Sequence, residues 1–184
     1  MPVKKPEIIV FAGPNGSGKT TITKLARIIE PYINADNIKQ ALKCDDLAAA
    51  IEAEKMREEA VATKKSFTFE TVLSTDRNIK LLAKAKEQGY FIRSIFIFTR
   101  DVNINISRVK SRSLSGLHDV PTDKIIKRYD KSIANIKELY KVSDIMYLYD
   151  NTVEPLRIFK KRKDEHIYYE NNIWTKEGID KLIL

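Results

Sequence analysis

The sequence predicts an α/β fold in which a mostly parallel, five-stranded sheet is covered by helices on both faces. Apolar, strand-like runs alternate with amphipathic, helix-like stretches from residue 7 to residue 151, a pattern typical of parallel strands joined by helical crossovers. The longest run, Tyr90 to Phe98, is rich in isoleucine and phenylalanine, as expected for a central strand buried on both faces. After Pro155, two short facing strands and a terminal helix are expected to extend this core.

The composition narrows the class of protein. The 184 residues suit one well-filled core and are too few for two ordinary domains, so we expect a single domain over 1–184 with 152–184 as a hairpin and helix extension. Cys44 is the only cysteine and there are two histidines, which excludes a disulfide framework and a zinc cluster. No apolar run of roughly 18 residues is present, so we expect a cytoplasmic protein without membrane contact.

The charge balance indicates an anionic partner. The formal net charge is +8 and the isoelectric point is near 9.4, which suits nucleotide phosphates, a phosphorylated metabolite, nucleic acid or an acidic protein. Part of the excess lies at residues 160–163. No aromatic side chains are interleaved there, which favours a solvated hairpin tip over a nucleic-acid surface.

The most specific motif is the run Gly13-Pro14-Asn15-Gly16-Ser17-Gly18-Lys19-Thr20, which fits the phosphate-binding pattern G-x-x-x-x-G-K-[ST] at every fixed position. It follows the strand-like run Ile8 to Ala12 and opens a helix predicted over Lys19 to Ile29. The glycines let backbone N–H groups turn toward phosphates at a helix N-terminus. Lys19 would reach the β- and γ-phosphates, and Thr20 would bind Mg²⁺. The sequence thus predicts a P-loop NTPase fold that binds a nucleoside triphosphate through this run and Thr21.

Two carboxylates are expected beside this loop. Asp36 follows a short strand at Tyr32 to Asn34, and Glu70 ends an alternating strand at Ser66 to Glu70. Ligand sites in open parallel sheets lie beyond the carboxyl ends of the strands, so both carboxylates are expected near the γ-phosphate. Either could instead cap a helix or turn.

A helix is predicted between these two carboxylates. It runs from Leu47 to Thr63, and Asp45 or Asp46 is its expected N-terminal cap. Leu47 and Ile51 lie four residues apart, so we expect them on its inner face and the rest of the helix in solvent.

Three arginines are candidates to contact the phosphates. Arg108 and Arg112 lie four residues apart on a helix capped by Asp101, and Arg128 lies on the helix that starts near Thr122. The intervening stretch 114–120 can fold as a lid that brings arginines over the nucleotide. They could equally be surface charges of a basic chain.

Phosphoryl transfer needs a carboxylate to accept the acceptor's proton, Mg²⁺, and cations against the equatorial oxygens. Asp36 and Glu70 supply the carboxylates, and Lys19 with the arginines supplies the cations. For the metal, Thr20 is the one ligand that the motif names. Asp150 follows an apolar strand and is an alternative second ligand, as is Asp36.

Taken in order, these motifs resemble the zeta toxin family over residues 7–151. The resemblance rests on the phosphate loop, Asn34-Ala35-Asp36, Phe67-Thr68-Phe69-Glu70-Thr71, Gly116-Leu117-His118-Asp119-Val120-Pro121, Arg128-Tyr129 and Asp150-Asn151. It implies the fold of small-molecule P-loop kinases. It also implies phosphorylation of the sugar 3′-hydroxyl of UDP-N-acetylglucosamine with ATP or GTP and Mg²⁺, and a small helical antitoxin as partner.

The same resemblance implies roles for individual residues. Asp36 would be the base for the sugar hydroxyl, and Glu70 with Thr71 would bind the UDP-sugar. Lys19 and Thr20 match the phosphate and Mg²⁺ residues. The γ-phosphate arginines are matched by Arg112 and Arg128, with Arg108 as a rival to Arg112.

The chain departs from the family pattern at two positions. Val72 stands where the family has a second threonine, which removes a hydroxyl from the acceptor side. Leu117 stands where the family has a second glycine. Two other functions therefore stay open: a P-loop kinase for another metabolite or a polynucleotide, and a nucleotide-gated binding module.

Overall fold

The computed structural model describes residues 5–114 and 120–184, and they form one seven-stranded sheet. Its strands are β1 (Glu7–Ala12), β2 (Tyr32–Ile33), β3 (Phe67–Thr71), β4 (Phe91–Phe98), β5 (Ile145–Asp150), β6 (Leu156–Arg162) and β7 (Glu165–Tyr168). Their spatial order is β2-β3-β1-β4-β5-β6-β7. The first five are parallel, and β6 and β7 add antiparallel at the β5 edge. The predicted parallel core is confirmed, but the C-terminal hairpin widens the same sheet from five strands to seven.

Helices connect the strands in the described part of the chain. They are α1 (Lys19–Leu25), α2 (Ala35–Leu42), α3 (Asp46–Ala62), α4 (Arg77–Glu87), α5 (Val102–Leu114), α6 (Thr122–Ala134), α7 (Ile136–Val142) and α8 (Lys176–Ile183). α1 is shorter than predicted because the backbone becomes extended at Ala26. The single long helix predicted after Thr122 is divided at Asn135 into α6 and α7. α2 was not predicted.

Both faces of the central strands β1 and β4 are largely buried, as their apolar sequences predicted. In β1, Ile8 and Val10 pack with side chains of α3, α4, α7 and α8 in the larger core cluster. The alternate residues Ile9 and Phe11 pack on the opposite face against Ile22 of α1 and the segment that follows it. Side chains that alternate along β1 therefore contribute to a hydrophobic core on each face of the sheet. This packing holds the carboxyl ends of the parallel strands at one edge of the sheet.

The inner face of α3 differs from the prediction. Leu47 and Ile51 are 71% and 57% exposed, so the expectation that they face the core is wrong. Ala49 and Ala53 are buried instead, and the same face buries Arg57. Asp45 is the cap, because its side chain accepts a hydrogen bond from the backbone of Ala48 at 2.8 Å. Because these alanine side chains are small, α3 packs close to the sheet. The same packing buries the charged side chain of Arg57.

The predicted lid falls almost wholly beyond the described residues. Of the stretch 114–120, the structure describes Leu114 at the end of α5 and Val120 before α6. The family-like segment 116–119 and the first four residues of the chain lie outside the description.

Candidate functional site

The phosphate loop lies between the end of β1 and the start of α1, as its motif predicted. Its backbone runs so close to β4 and α5 that side chains are excluded at two positions. A Cβ on Gly13 would lie 1.9 Å from the carbonyl oxygen of Ile97, and one on Gly16 would lie 2.5 Å from that of Asn105. Both glycines also have positive φ, at 143° and 75°, which L side chains rarely adopt. The loop is therefore shaped by its contact with β4 and α5.

Two asparagines hold this loop in place. The amide of Asn105, from α5, donates to the carbonyl oxygen of Asn15 at 2.5 Å. The amide of Asn151, just after β5, donates to the carbonyl oxygen of Ser17 at 2.8 Å. Asn151 belongs to the family-like motif, whereas no sequence signal marked Asn105. The N–H groups of Gly13 and Ser17 donate to the carbonyl oxygens of Thr71 and Pro14 at 3.2 and 3.3 Å, so the other amides of the loop are the ones that can bind an anionic ligand.

Lys19 extends over the loop. Its Nζ donates to the carbonyl oxygens of Gly13 and Pro14 at 2.8 and 2.9 Å. Burial lowers the pKa of Lys19 to about 8; the charges of Glu70 and Asp36 oppose this shift, and the nearby charge of Arg112 adds to it. These couplings place the lysine, both carboxylates and one arginine in a single electrostatic site.

Glu70 is the centre of a hydrogen-bond network. Its Oε2 accepts from the hydroxyl of Thr20 at 3.1 Å, and its Oε1 accepts from the hydroxyls of Thr23 at 2.8 Å and Tyr32 at 2.6 Å. Burial, followed by the bond to Glu70, raises the pKa of Tyr32, so the phenol stays a donor at neutral pH. Asn34 donates to the same phenol oxygen at 3.0 Å. This network joins the carboxyl ends of β2 and β3 to the first turn of α1.

Asp36 lies in the first turn of α2, not at the end of a strand as predicted. The side chain of Asn34 caps this helix, accepting from the backbone of Asp36 at 2.8 Å and of Asn37 at 3.4 Å. Asp36 is exposed and lines the same cleft as Lys19 and Glu70. The cap accounts for the unpredicted helix, and it points Asp36 toward the cleft while leaving its carboxylate free of a capping role.

The three candidate arginines differ in their surroundings. Arg108 donates to the backbone carbonyl oxygens of Asn151 and Thr152 at 2.8 and 3.1 Å, so its guanidinium is committed to the loop after β5. Arg112, one turn further along α5, is exposed and lines the cleft, where its charge acts on Lys19. Arg128 reaches the cleft from α6 and is half-buried. The geometry thus favours Arg112 over its rival Arg108.

The residues predicted to bind the acceptor lie on the far side of Glu70. The hydroxyl of Thr71 accepts from the backbone of Leu73 at 3.0 Å and from the amide of Asn78 at 2.9 Å. Val72 lines the cleft beside it. Thr71 thus orders the turn after β3, and its hydroxyl hydrogen stays available to a ligand.

Asp150 does not fit the metal role considered for it. It is 3% exposed. Its Oδ2 accepts from the Trp174 indole at 2.8 Å and pairs with Arg100 at 3.1 Å, and its Oδ1 accepts from the backbone of Thr152 at 2.8 Å. Oδ2 thus joins β5 to Trp174 of the C-terminal extension and to Arg100, and Oδ1 orders the turn after β5, so Asp150 has a structural role.

A magnesium ion at this site would meet Thr20 and Glu70. Hydroxyl and carboxylate oxygens are ligands that Mg²⁺ accepts, and it commonly retains several waters. The 3.1 Å contact between the Thr20 hydroxyl and Glu70 places a carboxylate where it can orient such waters, which the sequence did not indicate. Among residues 5–114 and 120–184, no three His, Cys, Asp or Glu side chains cluster to form a metal site by themselves.

One cleft of about 670 Å³, within the range of ligand sites for small molecules, is lined by the phosphate loop and by the predicted site residues Lys19, Thr20, Asp36, Glu70, Thr71, Arg112 and Arg128. The phosphate loop and α5 form one end. The other end is formed by α2, α3 and the turn between β3 and α4. Glu70 and Asp36 lie between the two ends, as the order β2-β3-β1 of the strands requires.

Comparison with known proteins gives related sequences and folds. No protein-family model matches the chain. Over 133 residues, 69% of the chain is 29% identical to 95% of an uncharacterized protein of Haemophilus influenzae. No helix in the described part of the chain is both long and apolar enough to cross a membrane.

Several solved structures have the same fold. A chain of the AvrRxo1-ORF1:-ORF2 structure with ATP matches with a TM-score of 0.75 at 14% identity, covering 98% of this chain and 64% of that one. A chain of the PezAT toxin-antitoxin system of Streptococcus pneumoniae matches at 0.56 and 18%, covering 98% and 78%. A gluconokinase of Sinorhizobium meliloti matches at 0.50 and 15%, covering 83% and 86%.

These likenesses confirm the fold that the resemblance to the zeta toxin family implied, that of a P-loop kinase. The chain spans less than two thirds of the AvrRxo1-ORF1:-ORF2 chain. The UDP-sugar acceptor, the antitoxin and the roles of individual site residues stay predictions.

The buried contacts of Asp150 lead to a first prediction. Asp150→Ala leaves the Trp174 indole and Arg100 without their partner, which should lower the free energy of unfolding by about 3 kcal/mol or more. Urea denaturation measures this. Asp164→Ala, an exposed aspartate in the β6–β7 turn, is the matched control and should change stability by less than about 0.5 kcal/mol. Equal stability of both variants would return Asp150 to the list of candidate metal ligands.

Proposed function

We propose that the chain is an ATP- or GTP-dependent kinase that transfers the γ-phosphoryl group to the sugar 3′-hydroxyl of UDP-N-acetylglucosamine or a related UDP-sugar. The observation that supports this function most strongly is the continuous cleft in which the phosphate loop adjoins Glu70 and Asp36. Phosphoryl transfer requires a donor and an acceptor aligned on either side of the γ-phosphorus. The sequence resemblance supports the UDP-sugar as acceptor.

Each group has a task in this proposal. Lys19 and the loop amides that remain free bind the β- and γ-phosphates. Thr20 would hold Mg²⁺ with Glu70 placed to orient its waters, and the ion would supply positive charge against the phosphates. The acceptor oxygen bonds to the γ-phosphorus as the bond from that phosphorus to the bridging oxygen breaks. Asp36 takes the hydroxyl proton, and the nucleoside diphosphate leaves. Arg112 and Arg128 offset the charge on the equatorial oxygens.

The direct test is an incubation of the protein with Mg²⁺-ATP and UDP-N-acetylglucosamine, analysed by mass spectrometry. The proposal predicts a UDP-sugar heavier by one phosphoryl group. ATP turnover that yields a different phosphorylated acceptor in a metabolite or oligonucleotide screen would favour the second candidate, which Val72 supports. Binding to nucleic acid or protein that depends on ATP, with no acceptor phosphorylated, would favour the binding module.

The exposed carboxylate of Asp36 gives the second prediction. Asp36→Asn keeps the shape and removes the proton acceptor, so kcat should fall about 10²- to 10⁴-fold while the Kd for Mg²⁺-ATP changes little. Steady-state rates and a nucleotide titration measure the two quantities. Exposed Asp123 in the first turn of α6 supplies the control Asp123→Asn, which should match the wild type. Undiminished turnover in Asp36→Asn would remove Asp36 from the mechanism.

The different surroundings of the two α5 arginines give the third prediction. Arg112→Met should lower kcat about 10²-fold or more through lost charge stabilisation, with an unfolding free energy within about 0.5 kcal/mol of wild type. Arg108→Met loses two bonds to backbone carbonyls, so its free energy of unfolding should fall by about 2–3 kcal/mol. Kinetics and urea denaturation of both variants separate the roles, and the reverse pattern would assign the phosphate contact to Arg108.

The lowered pKa of Lys19 gives the fourth prediction. A bound phosphate favours the charged ammonium and raises the pKa from about 8 toward its ordinary range, so ATP binding takes up a proton above pH 8. The uptake should be about 0.9 proton at pH 9 and about 0.1 at pH 7. Calorimetric titrations in buffers of different ionisation heat measure it. Lys19→Met should abolish the difference between pH 7 and pH 9, and an uptake independent of pH would contradict the assignment.

A further inference from the structure

A buried arginine lies in the same cleft, outside the machinery described above. Arg57 is 9% exposed and projects from the inner face of α3. Its guanidinium carbon lies 5.3 Å from the centre of the Phe69 ring, so the side chain is packed against β3 one residue before Glu70. It also lines the cleft. The sequence did not single it out, because that part of α3 was expected to face solvent.

Arg57 has no counterion in the described part of the chain. Its Nε is buried without a hydrogen-bond partner, and no carboxylate of residues 5–114 or 120–184 lies within ion-pair distance. The carboxylates of Glu54 and Glu58 act on it only as more distant charges, and Glu54 is paired with Arg77 at 3.3 Å. Burial lowers the pKa of Arg57, yet a guanidinium stays charged in proteins.

An unpaired buried charge destabilises a protein unless something compensates it. The contact with the Phe69 ring offsets part of this cost, but it leaves the buried Nε–H without an acceptor in the described part of the chain. A planar guanidinium with free donors is suited to a phosphate or carboxylate, which it can bind through two parallel hydrogen bonds. The cleft that Arg57 lines is the route by which such an anion would reach it.

The position of Arg57 separates it from the nucleotide phosphates. α3 packs against β2, at the edge of the sheet beyond β3, whereas the phosphate loop follows β1. Glu70 at the end of β3 lies between the two, so an anion at Arg57 belongs to the acceptor end of the cleft. Asn78 and Ser74 line this end and provide further polar groups.

We propose that Arg57 binds an anionic group of the acceptor, a phosphate or a carboxylate, so that the acceptor class is an anionic compound that also carries the reacting hydroxyl. This inference rests on the proposed function, because the acceptor is the second substrate of the proposed kinase. It selects UDP-sugars, sugar phosphates and hydroxy acids, and it excludes neutral sugars and simple alcohols.

A binding experiment tests this without any turnover. The protein is saturated with Mg²⁺ and a non-hydrolysable ATP analogue to occupy the phosphate loop, and inorganic pyrophosphate or malonate is titrated calorimetrically at low ionic strength. At least one of the two anions should bind the wild type and lose roughly tenfold or more in affinity in Arg57→Met. Lys55→Met removes the same charge from an exposed position on the same helix and should bind as the wild type does.

The outcomes are distinct. Binding of pyrophosphate alone assigns the site to a phosphate, and binding of malonate alone assigns it to a carboxylate. Absence of binding to the wild type, or equal binding by Arg57→Met and wild type, overturns the proposal. Because the readout is binding, a failed phosphorylation assay with UDP-N-acetylglucosamine would leave this result intact and would instead redirect the search to other anionic acceptors.

Stability supplies a second readout that a purely structural arginine would not give. Methionine keeps the apolar stem against Phe69 and removes an uncompensated charge, so the Tm of Arg57→Met should equal or exceed that of wild type. A marked fall in Tm would show that Arg57 serves the fold and would contradict the proposal. Arg57→Lys, which keeps the charge but loses the planar fork, should bind the anion more weakly than wild type and more strongly than Arg57→Met.

Discussion

The close approach of the phosphate loop to β4 and α5 is the constraint on which the rest of the site depends. Gly13 leaves no space for a Cβ against the backbone of Ile97, and Gly16 leaves none against Asn105. Packing at this distance makes the loop one rigid unit with the buried sheet, since protein interiors are close-packed and yield little. Asn105 and Asn151 then bind its outward carbonyls. The loop amides are thereby ordered by the core before any ligand binds, which is what preorganised charge stabilisation requires.

The strand order determines where the other groups of the site lie relative to the phosphate loop. Glu70 lies one residue before the end of β3, next to β1, and contacts Thr20 on α1 and Tyr32 on β2. Its two oxygens therefore couple three elements, and Asn34 continues the coupling into α2 and Asp36. A short series of hydrogen bonds thus connects the Thr20 hydroxyl, beside the phosphate loop, to the first turn of α2. The cleft has a cationic donor end and, in our proposal, a single buried cation at its acceptor end.

Much of the fold and part of the site could be predicted from the sequence. The parallel strands followed from apolar runs of the right length, and the loop from a motif whose glycines have a direct steric reason. α2 was missed because its start depends on the Asn34 cap, and Asn34 was counted as the end of a strand. The inner face of α3 was assigned wrongly because Leu47 and Ile51 are more apolar than Ala49 and Ala53, yet the small side chains are the ones that permit close packing. Arg57 was missed for the same reason. Asn105 and the structural role of Asp150 depend on contacts between residues far apart in the chain, and no local pattern marks them.

The central claim is that donor and acceptor bind at opposite ends of one cleft at the same time. Hydrogen–deuterium exchange measured with a non-hydrolysable ATP analogue and Mg²⁺, with UDP-N-acetylglucosamine, and with both together tests it most directly. The account predicts slower exchange at residues 13–20 with the nucleotide, slower exchange at residues 34–37 and 70–78 with the sugar nucleotide, and both footprints together in the mixture. Footprints that coincide and compete, or a sugar nucleotide that protects no part of the acceptor end, would contradict it.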